Sequence, residues 1–321
     1  MMIWAKLTMC LGLAFGALFA LPLAVEAQSY PDRMVKIIVP FAAGGTADVM
    51  PRVVAWGHPV IIENKTGAAG NIGAEAVFKS DPDGYTLLSA PPPPLVINHN
   101  LYPKLGYDPT EFVPVVIMGR VPNALVVNPN KIKAKTVADV IALAKDSPGK
   151  ITVATTGNGG TQHLTSELFQ LMAEVKVQHV PYRGSAPALQ DLVAGNVDMM
   201  FDNLGVSLAL VKGGQLNLLA VATTKRMRSM PAVPTIAETL PGFESAAWFA
   251  VVAPPKTPQA IVTKLNADIN EALRDPGVKQ RLDNLSAEVV GGTLEENAKF
   301  FKSETALWSK VITDAKVKLD P

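Results

Sequence analysis

Short β-branched apolar runs alternate along this chain with stretches of helical spacing. The first run, "MVKIIVPF" (34–41), is closed by a turn and predicts a strand. "HPVIIENKTG" (58–67) predicts a second strand, and "DGYTLLSA" (83–90), opened by an Asp-Gly turn, a third. Gly67, Gly70 and Gly73 make a loop into the helix "IGAEAVFKS". Strand–helix–strand alternation through short loops predicts a parallel sheet covered on both faces. "APPPPLVIN" (90–98) is expected to leave that sheet as a stiff segment, because proline fixes φ and donates no N–H.

The alternation then repeats. "NALVVNP" (123–129) predicts a strand, and "TVADVIALAKDSPG" a helix with Thr136 as N-cap and Ser-Pro-Gly as its stop. The strand "KITVATTG" (150–157) enters "GNGGTQH", followed by the helix "LTSELFQLMAEV". "QHVPYRGSAPALQDLVAGNVD" holds another strand–turn–helix, and "VDMMFDN" and "LNLLAVAT" predict two more buried strands. "SAAWFAVVAPP" (245–255) is a strand able to return to the first sheet. In "TPQAIVTKLNADINEALRDPGV", Ile261, Leu265, Ile269 and Leu273 recur every four residues, the stripe of an amphipathic helix. "LEENAKFFKSETALWSKVITDAKV" predicts a long terminal helix. The layout is an α/β fold with a discontinuous first domain, residues 28–124 plus 250–321, and a second domain of the same class over 125–249. Segments near 124–129 and 246–253 cross between them and are expected to form a hinge.

A length of 321 residues suits two such domains, and 48% apolar against 18% charged residues excludes a disordered chain. The net charge of +1 gives no basic field for nucleic acid or a membrane surface, so any anion must be recognised locally. Lys6 precedes an uncharged run from Leu7 to Ala24, interrupted by Pro22. Val25 and Ala27 stand at −3 and −1 of a cleavage site before Gln28, so residues 1–27 are expected to be a signal peptide. Cys10, the sole cysteine, leaves with it; the mature chain then has no disulfide, thiol nucleophile or thiolate metal site. Four scattered histidines show no metal-ligand spacing, and no cofactor motif is present: "GGTADV" lacks G-x-G-x-x-G, and there is no P-loop lysine.

Two glycine loops hold the candidate chemistry. Gly44-Gly45 in "VPFAAGGTADV" and the glycines of "TTGNGGTQH" each follow a strand and open a helix. Such a turn lets backbone approach a guest closely, and a helix N-terminus offers it free N–H groups and a positive dipole end. Facing one another, the two loops form an anion pocket at the ends of parallel strands.

Seven segments in order carry a resemblance: "YPDRMVKIIVPFAAGGTADV", "PVIIENKTGAAGNIGAEAV", "PDGYTLL", "LYPKLGYDP", "TTGNGGTQHL", "VPYRGSAPALQDLVAGNVDMMFDN" and "LPGFESAAWFAVVAP". Together they resemble the Bug family, the periplasmic substrate-binding proteins of tripartite tricarboxylate transporters. The resemblance implies a two-domain periplasmic binding protein of type II-like architecture, with two Rossmann-like domains joined by two crossing strands. A small carboxylate lies in the cleft between them, held mainly by backbone amides and waters. On matching positions the implied site is Phe41, Gly44, Gly45 and Asp48 from the first domain. From the second come Thr156, Gly157, Asn158, Gly159, Thr161 and His163, then Tyr182, Arg183, Gly184 and Asp202. The implied partners are a small organic anion (a di- or tricarboxylate, an acidic amino acid or an aromatic acid) and the permease subunits. The protein is expected to work as a periplasmic monomer without cofactor or nucleic acid. One departure is visible: "MPRVVAWGHPV" leaves a helix about two turns shorter than is usual in that family, with Pro51 in its interior.

The residues themselves leave alternatives open. Asp48 is either a first-turn partner of the helix dipole or an acceptor for a water or ligand ammonium. His163 is either a helix-end polar residue or turned into the cleft. Arg183 is the preferred positive charge for a carboxylate, with a surface ion pair as its rival. Tyr182 closes the pocket or belongs to the core. A secreted hydrolase or transferase on a similar frame is the alternative function. It lacks G-x-S-x-G, a cysteine and a metal cluster, and leaves only His163 near Thr161 as a faint pair.

Overall fold

The fold is that of a computed structural model describing residues 30–54, 58–182, 184–227, 229–314 and 317. The expected signal peptide, residues 1–27, lies outside the described residues, as does Arg183. Contacts divide the chain into residues 1–32 and 33–321, and every strand and helix named in this section belongs to the second unit.

The elements run β1 Val35–Val39, α1 Thr46–Val53, β2 Val60–Asn64, α2 Asn71–Phe78 and β3 Thr86–Ala90. After them come β4 Val113–Val127, α3 Val137–Asp146, β5 Thr152–Thr155, α4 Thr161–Ala173, β6 Gln178–Pro181, α5 Ser185–Ala194 and β7 Met199–Asn203. The chain ends with α6 Leu204–Lys212, β8 Asn217–Val221, β9 Ala246–Ala253, α7 Gln259–Arg274, α8 Pro276–Asn284, β10 Glu288–Gly291 and α9 Leu294–Asp314. The strands form one mixed sheet in the order β2-β1-β3-β9-β4-β7-β5-β6, with β8 and β10 also paired to β4. This is the expected α/β class with helices on the faces of a sheet.

β4 organises the sheet. Its first part, Val113–Pro122, pairs antiparallel with β9, and its last part, Asn123–Val127, with β7 and β8. The register fixes where the parallel strands end. β1 runs parallel to β3, β3 antiparallel to β9 and β9 antiparallel to β4, so β1 and β3 point along β4 toward Asn123. β7 is antiparallel to β4, with Asn203 opposite Asn123, and β5 is parallel to β7. β5 and β7 therefore point at the same level from the other side. The loops that leave β1 and β5 meet an opposing strand edge, which is what open α/β sheets offer a ligand.

The buried apolar residues fall into several clusters. One is built on Leu125, Val153, Phe169, Phe201 and Phe243, another on Ile38, Leu88, Ile97, Trp248 and Trp308. α3 forms as expected: Thr136 accepts from the Asp139 amide, and Asp139 in turn accepts from the Thr136 amide, a reciprocal capping box.

Four local expectations change. The Pro91–Pro94 segment does not leave the sheet as a stiff connector. All four prolines are buried, and Pro93–Ile97 coil into a single π-helical turn, closed beneath by the Tyr107 hydroxyl donating to the Pro94 carbonyl at 2.9 Å. The long strand β4 begins ten residues before "NALVVNP", hidden from a sequence reading by Pro114, Gly119 and Pro122. The helix expected over 257–278 breaks at Asp275, whose side chain caps α8 by accepting the Val278 amide at 2.9 Å. Its buried stripe is Val262, Leu265, Ile269 and Leu273, so Val262 rather than Ile261 faces the core. Among the described residues no helix is long and apolar enough to cross a membrane.

Candidate functional site

β1 ends at Val39, and the chain turns through Phe41, Gly44 and Gly45 into α1. Gly44 has φ +86°, a left-handed conformation that glycine adopts without strain. Gly45, the N-cap, sits at φ −82° and ψ 168°, ordinary extended backbone. Of the two glycines, only position 44 therefore requires positive φ. Among the described residues no side chain caps α1, so its first amides lack a side-chain acceptor there.

Asp48 holds this turn from within α1. Its Oδ2 accepts the Gly44 amide at 3.0 Å; its Oδ1 accepts Arg52 at 2.8 and 3.0 Å and Asn64 Nδ2 at 2.8 Å. Three of these bonds fall on Oδ1 and one on Oδ2, so both oxygens are engaged by the protein's own donors. Burial alone would raise the Asp48 pKa, but the hydrogen bonds from Arg52, Gly44 and Asn64 prevail and hold it below the usual carboxylate value. Asp48 is thus a positioning group rather than a spare acceptor. Asn64, at the end of β2, also donates to the Phe41 carbonyl at 2.9 Å. The Phe41 ring lies against Gly70 and Pro94, where a Cβ on Gly70 would come within 3.3 Å of both side chains.

On the other side, β5 leads through Thr156, Gly157, Asn158 and Gly159 to Gly160, the N-cap of α4, again without a side-chain cap. Gly157 and Gly159 take φ +115° and +79°. Gln162 organises the loop: its Oε1 accepts the Thr156 hydroxyl at 2.8 Å and the Thr161 hydroxyl at 3.0 Å. His163 is buried, and its Nδ1 accepts the Gly159 amide at 3.2 Å. Its Nε2 lies 3.6 Å from Glu167 Oε1, so the ring is engaged by the loop and by its own helix.

The third loop joins β6 to α5. Tyr182 turns its hydroxyl to Asp191 at 2.7 Å, and its amide donates to the Thr155 carbonyl at 2.8 Å. Burial first, then Asp191, pushes the phenol up to about 12. Tyr182 is half-buried and packs against the cluster around Leu189 and Leu192. Gly184, at φ +125°, opens α5 without a side-chain cap. α3 is capped by Thr136 and α8 by Asp275, whereas α2, α6 and α7 also lack a side-chain cap among the described residues.

Asp202 is fully buried near the end of β7. Its Oδ1 accepts the Ser185 hydroxyl at 2.8 Å, whereas Oδ2 has no partner among the described residues. Burial pushes its pKa up to about 7, against the smaller lowering effects of the Ser185 and Asn203 bonds. Thr155 Oγ1, Asn123 Oδ1 and Asn203 Oδ1 are likewise buried without a partner among those residues. Asn123 is fixed by its amide donating to Thr165 at 2.8 Å and to Ser245 at 3.0 Å. Unsatisfied buried oxygens are uncommon, and four of them sit on residues at one strand junction.

The β1–α1 loop, the β5–α4 loop, Tyr182, Gly184 and Asp202 each lie at the C-terminal end of a parallel strand. Arg52, Asn64, Asn123 and Gln162 join them without a sequence motif to mark them. Arg52 is legible as a helical i,i+4 partner of Asp48, but the others depend on contacts between distant segments. An open cavity of about 420 Å³ lined by Arg33, Lys36 and Asp83 lies elsewhere, at the start of β1 and β3, where Arg33 pairs with Asp83 at 2.8 Å.

Residues 47–317 match the TctC family, described as tripartite tricarboxylate transporter family receptor. Protein BugT of Bordetella pertussis is 39% identical over 304 residues, covering 92% of this chain and 93% of that protein. Among solved structures, R. palustris Rpa4515 with adipate is similar at 38% identity and a TM-score of 0.85, covering 91% of this chain and all of the other. MatC from Rhodopseudomonas palustris with bound malate is similar at 32% identity and a TM-score of 0.81, covering 88% of this chain and all of the other.

Proposed function

The chain belongs to the TctC family of tripartite tricarboxylate transporter receptors, and from that premise we propose that it captures a small organic carboxylate at the Asn123 junction and delivers it to a membrane permease from the periplasm. The family is one of receptors, not enzymes. The observation that carries the ligand reading is the pair of uncapped helix ends at Gly45 and Gly160, which follow strands pointing at one level of β4. Helix N-termini with free amides bind carboxylate oxygens without any lysine or arginine. Phe41, Gly44 and Gly45 supply one wall; Thr156 to Gly159, Thr161 and Gly184 supply the other. Asp48 and His163 act by holding these loops. Arg183 supplies the cationic partner for the ligand.

Asp202 suits the far end of such a ligand. With a pKa of about 7, a large share of its carboxyl carries a proton at neutral pH and can donate it to a ligand oxygen. That adipate and malate are held by relatives of similar fold supports a dicarboxylate. The direct test is calorimetry of the purified protein against adipate, malate and further mono-, di- and tricarboxylates. One saturable site, with the acid recovered unchanged, is expected. A panel with no binding acid, or an acid returned chemically altered, would overturn this reading.

A further inference from the structure

We propose that His163 Nε2, Glu167 Oε1 and His179 Nδ1 form a binding site for a divalent transition cation of the zinc class, built into the α4–β6 layer behind the second glycine loop. One ligand atom from each of the three residues lies within 4.8 Å of the others. Glu167 Oε1 stands 3.6 Å from His163 Nε2 and 3.4 Å from His179 Nδ1. A tetrahedral zinc ion with bonds of about 2.0–2.1 Å sets its ligand atoms about 3.3 Å apart, so two edges already have nearly the right length. Two imidazoles and one carboxylate are also a donor set that suits zinc over magnesium or calcium. His163 and Glu167 are one helical turn apart on α4, and His179 reaches them from β6. No sequence spacing joins the two histidines.

The surroundings fit a ligand role. Glu167 Oε2 accepts Gln170 Nε2 at 3.0 Å, which leaves Oε1 directed at the two histidines. His179 Nε2 lies 2.8 Å from the Ser166 hydroxyl, which can accept its N–H while Nδ1 turns to the metal. This is the outer-shell bond that fixes the tautomer of metal-bound histidines. His163 is buried, whereas the Glu167 and His179 side chains keep 19% and 16% exposure, enough for a water to complete the coordination. Burial raises the Glu167 pKa, and a cation beside it removes that penalty.

One consequence reaches the cleft loop. A neutral imidazole has a single N–H. While Gly159 donates to Nδ1 of His163, that proton sits on Nε2. Binding metal through Nε2 moves it to Nδ1, where it opposes the Gly159 N–H and turns that amide away. The metal therefore displaces one loop hydrogen bond in exchange for three ligand bonds.

The test is calorimetric titration of zinc chloride into the chelator-treated protein, with magnesium chloride as control. One equivalent of zinc binds, magnesium does not, and the Gly159 amide resonance shifts as the site fills. Glu167→Gln and His179→Gln each weaken zinc binding by at least about tenfold, the lower bound for losing even an outer-shell partner. Circular dichroism of both variants confirms that they fold. Absence of stoichiometric zinc binding by the unaltered protein overturns the proposal. So does binding that both substitutions leave unchanged, or binding that leaves the Gly159 resonance in place.

Discussion

The Asp48 carboxylate accepts the Gly44 amide at 3.0 Å, so a side chain in the first turn of α1 fixes the loop that opens the same helix. Its other oxygen is taken by Arg52 and Asn64, which ties the loop to β2. Asp48→Asn puts an amide donor opposite Gly44 or Arg52 and leaves one of them unpaired. We expect a loss of about 1–3 kcal/mol in stability. Carboxylate affinity falls with it, although the substitution removes a negative charge. Urea unfolding and calorimetry measure the two effects; tighter binding by the variant would show that Asp48 repels the ligand more than it orders the loop.

The depressed pKa of Asp48 carries a pH dependence. A carboxyl that ionises more readily folded than unfolded adds stability above its unfolded value, near 3.9. That stability is lost as pH falls through the lower, folded value. Acid unfolding profiles of the protein and of Asp48→Asn should converge at the acid end, and parallel profiles over the whole range would contradict this.

Gly45→Val separates ligand space from backbone strain. Position 45 has ordinary extended φ and ψ, and a Cβ there meets only the Ala42 carbonyl at 3.9 Å. The variant should fold with a melting temperature close to that of the parent and lose carboxylate binding. Gly44→Val, at φ +86°, should cost about 1–2 kcal/mol in the folded state. Undiminished affinity in Gly45→Val would make that turn structural only.

Asp202 acts in the opposite sense to Asp48. Its folded pKa, about 7, lies above the unfolded value of about 3.9. Below about pH 4 both states are protonated and burial is tolerated. As pH rises toward 7 the unfolded chain ionises first, so stability falls across that window and levels off above it. Asp202→Asn keeps an acceptor for Ser185 and should flatten this fall. Melting curves collected between about pH 4 and 8 test it, and an unchanged slope in the variant would assign the dependence to another group.

If Arg183 pairs with the ligand carboxylate as proposed, Arg183→Ala weakens carboxylate binding by about 2–5 kcal/mol, the range for removing one partner of a desolvated charge pair. Affinity equal to that of the parent would return Arg183 to a surface ion pair.

The local pattern of the chain determined a good deal. Short apolar runs and glycine turns mark β1, β3, β5 and β7, because a strand between two layers of helices is apolar on both faces, while β2, at the sheet edge, shows as a short Val-Ile-Ile run. Thr136 and Asp139 announce α3 by themselves, since a capping box needs only residues three apart. Gly44 and Gly157 stand where positive φ is required, and the sequence places both in loops that open helices. Other features depend on distant partners. β4 is a strand despite Pro114 and Pro122, because pairing with β7, β8, β9 and β10 compensates what proline removes from the ladder. That the Asp48 carboxylate is also held by Asn64, sixteen positions away on β2, depends on how α1 packs on that strand. The nearness of His163 and His179 rests on β6 lying beside α4. Hydrogen-bond partners and charge neighbours follow from packing between segments, and no period within one segment records them.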